Sequence, residues 1–224
     1  MYSKLVVGFD MDGVILRSDD LYPDSWIERA FKATLRYFDI PPSDENARLL
    51  YLTSLKENID QFCERFAITD PAKLWDKRDE NYQREKLRAL KTGEIDLYSD
   101  IDVLDTLRTR YPMALVSNSP QHVVDQVIEK FSLQRYFRLW IGRGTAWDDL
   151  KWAKPAPDML EQMKERLEVS RGYYIGDQPE DRQAALAAGL VPIMLSRDND
   201  SGDITTLARL PQLLGELEER SSTG

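Results

Sequence analysis

The sequence predicts an α/β protein: a doubly wound parallel sheet with an all-helical subdomain inserted after the first strand. Three observations carry this. An apolar run at 4–9, Lys4-Leu5-Val6-Val7-Gly8-Phe9, stands before Asp10-Met11-Asp12-Gly13, the pattern of a buried strand that ends in a sharp turn. Helical periodicity then continues from about residue 20 to 95 with no strand pattern between. Beyond it, short apolar runs alternate with helical segments, and that alternation builds right-handed crossovers and a parallel sheet. The division that follows is a core of 1–19 and 96–224 with a helical cap at 20–95.

Taken in order, 15–22 reads as a loop leaving the core, and Pro23 fits a first helical position. Ile27, Ala30, Phe31, Thr34, Leu35 and Phe38 recur at helical spacing until Pro41-Pro42 breaks the chain. Ser43 caps a second helix, with Asp44 and Glu45 where the dipole favours acids. Ser54-Leu55-Lys56-Glu57 reads as a capping box for a third. Asp70-Pro71 opens a fourth, with Leu74, Trp75, Tyr82, Leu87 and Leu90 to pack and Gly93 to end it. Ser99 is placed to cap a helix through Leu107, and 113–116 reads as a strand. Ser119-Pro120 starts a helix with Val123, Val124, Val127, Ile128 and Phe131 on one face. Strands at 137–141, 173–175 and 191–195 frame helices at 157–167 and 179–188, the latter ended by Gly189. A last helical segment lies at 205–220, interrupted near Pro211, and 221–224 reads as a frayed tail.

Composition sets limits. The chain has 224 residues, which suits one large domain or a core with an inserted subdomain, and its 42% apolar and 31% charged content describes a soluble globular protein. No apolar run reaches the roughly 20 residues that span a bilayer, so no membrane association is expected. No secretory signal is visible. A net charge of −9 disfavours nonspecific nucleic-acid binding. The single cysteine, Cys63, allows no intramolecular disulfide and points to a reducing, cytoplasmic setting. It shares a helical stripe with Ile59, Phe62 and Phe66, the pattern of a structural thiol. The segment 71–91 carries 7 basic and 4 acidic residues, either a solvated face or a surface that helps to hold an anionic substrate. His122 is the only histidine and reads as an ordinary surface or packing residue. The tryptophans read as packing residues, with Trp147 and Trp152, which flank the approach to Lys154, either packing or touching substrate. Gly142-Arg143-Gly144 is too short for a nucleotide fingerprint and reads as a turn.

Asp10 and Asp12 stand at the carboxyl end of the first strand, where open α/β sheets bind ligands. Successive strand residues face opposite sides, so both can serve one site only if the chain leaves strand geometry at Met11. Alone, Asp-x-Asp-Gly is a weak signal. Three further motifs follow: Leu115-Val116-Ser117-Asn118-Ser119, Lys154-Pro155-Ala156-Pro157 and Gly176-Asp177-Gln178-Pro179-Glu180-Asp181. With these four in order, the sequence resembles the haloacid-dehalogenase-like phosphohydrolases over nearly its whole length, most of all the phosphoglycolate-phosphatase-like branch, with a Rossmann-like core and a helical cap of the C1 type.

The resemblance implies a Mg²⁺-dependent phosphatase acting on a small phosphorylated metabolite through an aspartyl phosphate. Asp10 would be the nucleophile, because a covalent intermediate splits one hard step into two. Asp12 would be the general acid and then the general base, with its backbone carbonyl rather than its side chain on the metal. Phosphatases of this family carry an aspartate here and the dehalogenases do not. Ser117 and the amide of Asn118 would bind phosphoryl oxygens. Lys154 would balance the charge of Asp10 and of the phosphoryl group. Asp177 would ligate the metal beside Asp10. Asp181 would bind it or act through water, or would simply be an acid favoured at a helix N-terminus. Ser119 would cap its helix and leave Ser117 unencumbered. The cap would close over the substrate and choose among leaving groups. A β-phosphoglucomutase-like sugar phosphomutase, a phosphonate hydrolase and a noncatalytic binding protein on the same scaffold stay open. The identity of the substrate and the oligomeric state are open too.

Overall fold

The structure, a computed structural model, describes residues 5–18, 22–199 and 201–222. The expected strand start at Lys4, part of the 15–22 loop, the division at 19/20 and the last two residues of the expected tail lie outside the described residues. The strands are β1 (Leu5–Phe9), β2 (Leu16–Arg17), β3 (Asp96–Leu97), β4 (Met113–Pro120), β5 (Leu139–Arg143), β6 (Arg171–Gly176) and β7 (Val191–Met194). The helices are α1 (Trp26–Tyr37), α2 (Asp44–Arg48), α3 (Leu52–Arg65), α4 (Pro71–Thr92), α5 (Val103–Leu107), α6 (Gln121–Lys130), α7 (Asp158–Arg166), α8 (Pro179–Ala187) and α9 (Leu210–Ser222). Contacts group the chain into two compact units. One holds residues up to 17, 97–143 and 151 onward; the other holds 18–96 and 144–150.

The first unit is the α/β fold that the alternation predicts. Five strands pair in the order β5-β4-β1-β6-β7, all parallel. β1 takes the centre because both of its faces are apolar: Val6, Val7 and Phe9 are fully buried. Helices cover both sides of the sheet. On one, Met159, Leu160 and Met163 of α7 and Ala184 and Ala185 of α8 pack on Val6, Ala114, Val116, Ile141 and Tyr174. Gly8 keeps that layer close, since a Cβ there would meet the Tyr174 ring at 2.9 Å and the Met163 sulfur at 3.0 Å. The register sets Phe9 beside both Leu115 and Ile175. Residues just past those positions therefore emerge together at the carboxyl edge of the sheet.

Several expected boundaries shift in this unit. The helix expected from Ser99 is only α5, starting at Val103. β4 runs on through Ser119 and Pro120, with a register shift against β5 between Ser117 and Pro120, so Ser119 is in the strand and does not cap α6. Gly142 and Arg143 belong to β5 rather than to a turn. The last segment is a 3₁₀ turn, Leu207–Arg209, followed by α9. Pro211 is tolerated in the first turn of α9, where a missing N–H costs nothing, and α9 extends through Ser222 into the expected tail.

The second unit is helical. α1 does not start at Pro23: Asp24 holds a left-handed φ of 63°, and Ser25 makes the cap by accepting from Glu28 N. Ser43 caps α2 as expected. α3 begins at Leu52, so Ser54 and Glu57 lie inside it and form no capping box; Asn58 kinks it, with φ −128° and ψ 19°. α4 matches its signals. Asp70 accepts from Lys73 N, Pro71 sits in the first turn, and Gly93 ends the helix at φ 80°. The segment 144–150 joins this unit because Trp75 Nε1 donates to Thr145 O (2.9 Å) and the Trp75 and Trp147 rings lie 6.2 Å apart. Cys63 is buried with Ile59 and Phe62. Much of the basic character of 71–91 is spent inside the unit. Arg78 is buried over the rings of Phe31, Trp75 and Tyr82 and donates to Leu50 O, while Arg84 and Arg88 pair with Glu85. No described helix is long and apolar enough to cross a membrane.

Candidate active site

The site lies in the α/β unit, at the carboxyl ends of β1, β4 and β6. β1 stops at Phe9, and the Asp10 N–H still donates to Ile175 O at 2.8 Å. Asp10 thus continues the face of Val6 and Gly8, and its side chain is buried. At Met11 the chain leaves strand geometry, the condition for Asp10 and Asp12 to serve one site. The Leu16 and Ile15 N–H groups return to Met11 O, Gly13 N donates to Leu16 O, and Gly13 adopts φ 75°, a conformation that favours glycine.

Lys154 is the hub. It is 2% exposed, and its Nζ donates to Asp10 Oδ1 (2.8 Å), Asp181 Oδ1 (2.5 Å), Tyr174 Oη (2.8 Å) and Val116 O (3.3 Å). Tyr174 Oη in turn donates to Val116 O at 2.7 Å. Burial works against the ammonium charge, but Asp10 and Asp181 outweigh it and hold the Lys154 pKa well above the usual lysine value. Burial is also the largest influence on Asp10. Lys154 opposes it while Asp181, Asp177 and Asp12 reinforce it, and the Asp10 pKa lies well above the ordinary aspartate value.

Among the described residues, Asp10, Asp177 and Asp181 bring carboxylate oxygens within 4.8 Å of one another. Asp177 Oδ2 accepts from Gln178 Nε2, whereas Asp177 Oδ1 is buried with no hydrogen-bond partner. Burial and then Asp181 push the Asp177 pKa up to about 7. Asp181 has both oxygens engaged: Oδ1 with Lys154, and Oδ2 with the N–H groups of Asp177 and Gln178. The last contact is half of a capping box with Gln178. Asp181 therefore serves as a helix N-terminal acid and faces the cluster at the same time. An orphaned buried carboxylate oxygen beside two more carboxylates is the donor set of a hard divalent cation such as Mg²⁺.

In the β4 motif each side chain has a defined partner. Ser117 is buried, and its Oγ accepts from Ser119 N at 3.1 Å. The Asn118 side chain grips the Lys154 main chain at both ends. Its Nδ2 donates to Lys154 O (3.0 Å), and its Oδ1 accepts from Lys154 N (2.9 Å). Its own carbonyl accepts from Arg143 Nε at 2.8 Å. Ser119 Oγ donates to Asp12 Oδ2 at 2.9 Å. Ser119, Tyr174 and Arg143 are thus residues that sequence reasoning missed in this role. The strand pattern shows which face each occupies, but nothing local signals a partner so far along the chain. His122 is exposed, in the first turn of α6. Trp152 is 49% exposed, with Lys151 Nζ 4.8 Å from its ring centre, so it is not a core residue.

The model of a family described as haloacid dehalogenase-like hydrolase matches residues 7–195. The phosphoglycolate phosphatase of Escherichia coli (strain K12) is 32% identical over 111 residues, which cover 48% of this chain and 42% of that protein. The chain thus matches less than half the length of this curated relative. A solved structure from Haemophilus somnus 129PT, described as a predicted phosphoglycolate phosphatase, aligns with a TM-score of 0.70 at 18% identity, over 95% of this chain and 99% of that one. CbbY from Rhodobacter sphaeroides, solved in complex with phosphate, aligns with a TM-score of 0.65 at 21% identity, over 92% and 95%. At these identities the solved structures speak for the fold.

Proposed function

The chain belongs to the haloacid dehalogenase-like hydrolase family, and from that premise we propose that it is a phosphatase that hydrolyses a small phosphate monoester through a phosphorylated Asp10. The observation that carries the reading is the cluster of Asp10, Asp177 and Asp181, two of which, Asp10 and Asp181, pair with Lys154, while Asp177 Oδ1 is buried and unpartnered.

Asp10 and Asp177 would hold Mg²⁺ with the Asp12 main-chain carbonyl, and Asp181, whose oxygens are already engaged, would support it through water. When bound, the cation would supply positive charge that offsets the repulsion between a carboxylate and a phosphate dianion. Lys154 fixes Asp10 Oδ1 and so orients the carboxylate for attack. An Asp10 oxygen forms a bond to phosphorus as the bond to the leaving oxygen breaks, and Asp12 gives that oxygen its proton. Asp12 then takes a proton from water, the water oxygen bonds to phosphorus, and the Asp10–phosphorus bond breaks to release phosphate. The Ser117 hydroxyl would donate to a phosphoryl oxygen. The Asn118 side chain is committed to Lys154, so its main-chain N–H is the donor it would offer.

Similarity to the curated relatives makes phosphoglycolate the first substrate to test, and the single buried thiol, Cys63, suits a cytoplasmic setting. The deciding measurement is phosphate release with Mg²⁺ by the parent and by Asp10→Asn. The amide is a poor nucleophile, so the variant should fold and lose at least about a thousandfold in kcat. The parent should become labelled at Asp10 when the intermediate is trapped. Substantial turnover by a clean Asp10→Asn preparation would sink the assignment.

A further inference from the structure

We propose that Arg197 is a positioning residue for Asp12: it holds the turn that follows Asp12 in the shape that proton transfer needs. The inference rests on the acid–base role proposed above. The turn at 13–16 closes on itself through Gly13 N to Leu16 O and through Ile15 and Leu16 N to Met11 O. That arrangement leaves the Gly13 and Val14 carbonyls to be met from elsewhere, and Arg197 meets both. Its Nε donates to Gly13 O at 3.2 Å and its Nη2 to Val14 O at 2.8 Å. A guanidinium is planar and its donors have fixed directions, so it holds two successive carbonyls in one relative orientation, which an ammonium cannot do.

Arg197 is itself fixed. Asp100 accepts from it at two points, Nη1 to Oδ2 (3.0 Å) and Nη2 to Oδ1 (3.2 Å), and its Cζ lies 3.5 Å from the centre of the Tyr98 ring. Asp100 also accepts from Thr206 Oγ1 at 2.7 Å and Leu207 N at 2.8 Å. Tyr98 N donates to Ile15 O at 3.1 Å. The carbonyls of 13, 14 and 15 are therefore all held from outside the turn. The Arg197 side chain is only 17% exposed, so this is not a solvated ion pair. At the other end of the segment, Ser119 fixes the Asp12 carboxylate. Asp12 must meet first a leaving oxygen and then a water from one position, and a displacement of about 1 Å is enough to cost a hundredfold in rate.

The rival role is purely structural: Arg197 would only tie the segment after β7 to the core. The two roles separate on substrates that differ in their need for an acid. An alkyl phosphate such as phosphoglycolate needs its leaving oxygen protonated, whereas 4-nitrophenyl phosphate does not. kcat/KM covers the steps through departure of that group. Arg197→Lys and Asp100→Asn are compared with Asp12→Asn on both substrates, with thermal unfolding as a control. In both variants kcat/KM should fall about ten- to hundredfold on the alkyl phosphate and stay within about threefold on the aryl phosphate, in the pattern of Asp12→Asn. Asp100→Asn carries the test if Arg197→Lys does not fold. Equal losses on both substrates, or none, while Asp12→Asn discriminates, would overturn the positioning role of Arg197. Equal losses in Asp12→Asn itself would overturn the acid role, and this inference with it.

Discussion

At the scale of single residues, Asp177 has a protonation state that a bound cation would change. Its pKa is pushed up to about 7 by burial and by Asp181, far above the ordinary carboxylate value. A carboxyl raised in the folded state stabilises the fold while protonated. That contribution is full below about pH 4, the unfolded value, and is lost as pH rises through about 7. Without metal, the melting temperature should therefore carry a component that falls between about pH 4 and 7. Mg²⁺ binding requires the ionised form, so affinity should rise over the same range and binding near pH 7 should release protons. Calorimetry in two buffers of different ionisation enthalpy measures that release. Asp177→Ala should weaken Mg²⁺ at least about tenfold and abolish the release near pH 7, and unchanged affinity would refute the ligand role. Asp181→Ala should weaken Mg²⁺ less. The sequence brings Asp177 forward as a candidate because its motif is local. It hides Ser119 and Tyr174, whose hydrogen bonds to Asp12 and Val116 reach across distant positions in the chain.

At the scale of elements, the site exists because three parallel strands end together. The register of β1 with β4 and β6 was legible in outline, since an apolar run before each motif marks a buried strand and motif residues must then stand at its end. Helix starts were less legible where two capping signals compete. Ser25 prevails over Pro23 because Asp24 turns left-handed, and the Ser54 box is lost because α3 has already begun. Ser119 illustrates the same limit: a serine before proline is equally good as a cap or as the last turn of a strand, and the pairing with β5 decides. One glycine ties element geometry to chemistry. A Cβ on Gly176 would lie 2.2 Å from Asp181 Cβ and 2.6 Å from its Oδ2. Gly176→Ala must then push α8 or the Asp181 side chain away from Lys154. A loss of about 1–3 kcal/mol in urea unfolding is expected, the usual range for overpacking, together with a fall in kcat. Parent-like stability and rate would show that the strand end yields more easily than its packing implies.

At the scale of the whole molecule, the periodicity exposed both halves of the architecture, a sheet unit and a helical one. It could not show that 144–150 packs with the helices, because Thr145 meets Trp75 across a gap in sequence that no local pattern spans. The same overview bears on whether phosphate is released or moved. β-Phosphoglucomutases resemble this chain in the position of the helical insertion and in all four motifs, so the motifs alone do not separate the two outcomes. Those mutases use a histidine of the insertion to help control the acid–base aspartate and protect the phosphoenzyme from water. Residues 20–95 contain no histidine here. The chain's only one, His122, is exposed on α6, in the sheet unit. Asp12 is instead bonded to Ser119, a hydroxyl without a charge to switch. Asp12 should then activate water whenever Asp10 is phosphorylated, and net phosphate release should exceed isomerisation. The check is incubation with β-glucose 1-phosphate, Mg²⁺ and a trace of the 1,6-bisphosphate, following both products. Inorganic phosphate should form at least about tenfold faster than glucose 6-phosphate, a difference of about 1.4 kcal/mol between the two fates of the phosphoenzyme. Glucose 6-phosphate forming much the faster would mean that another group of the chain gates Asp12, and that the protein is a mutase.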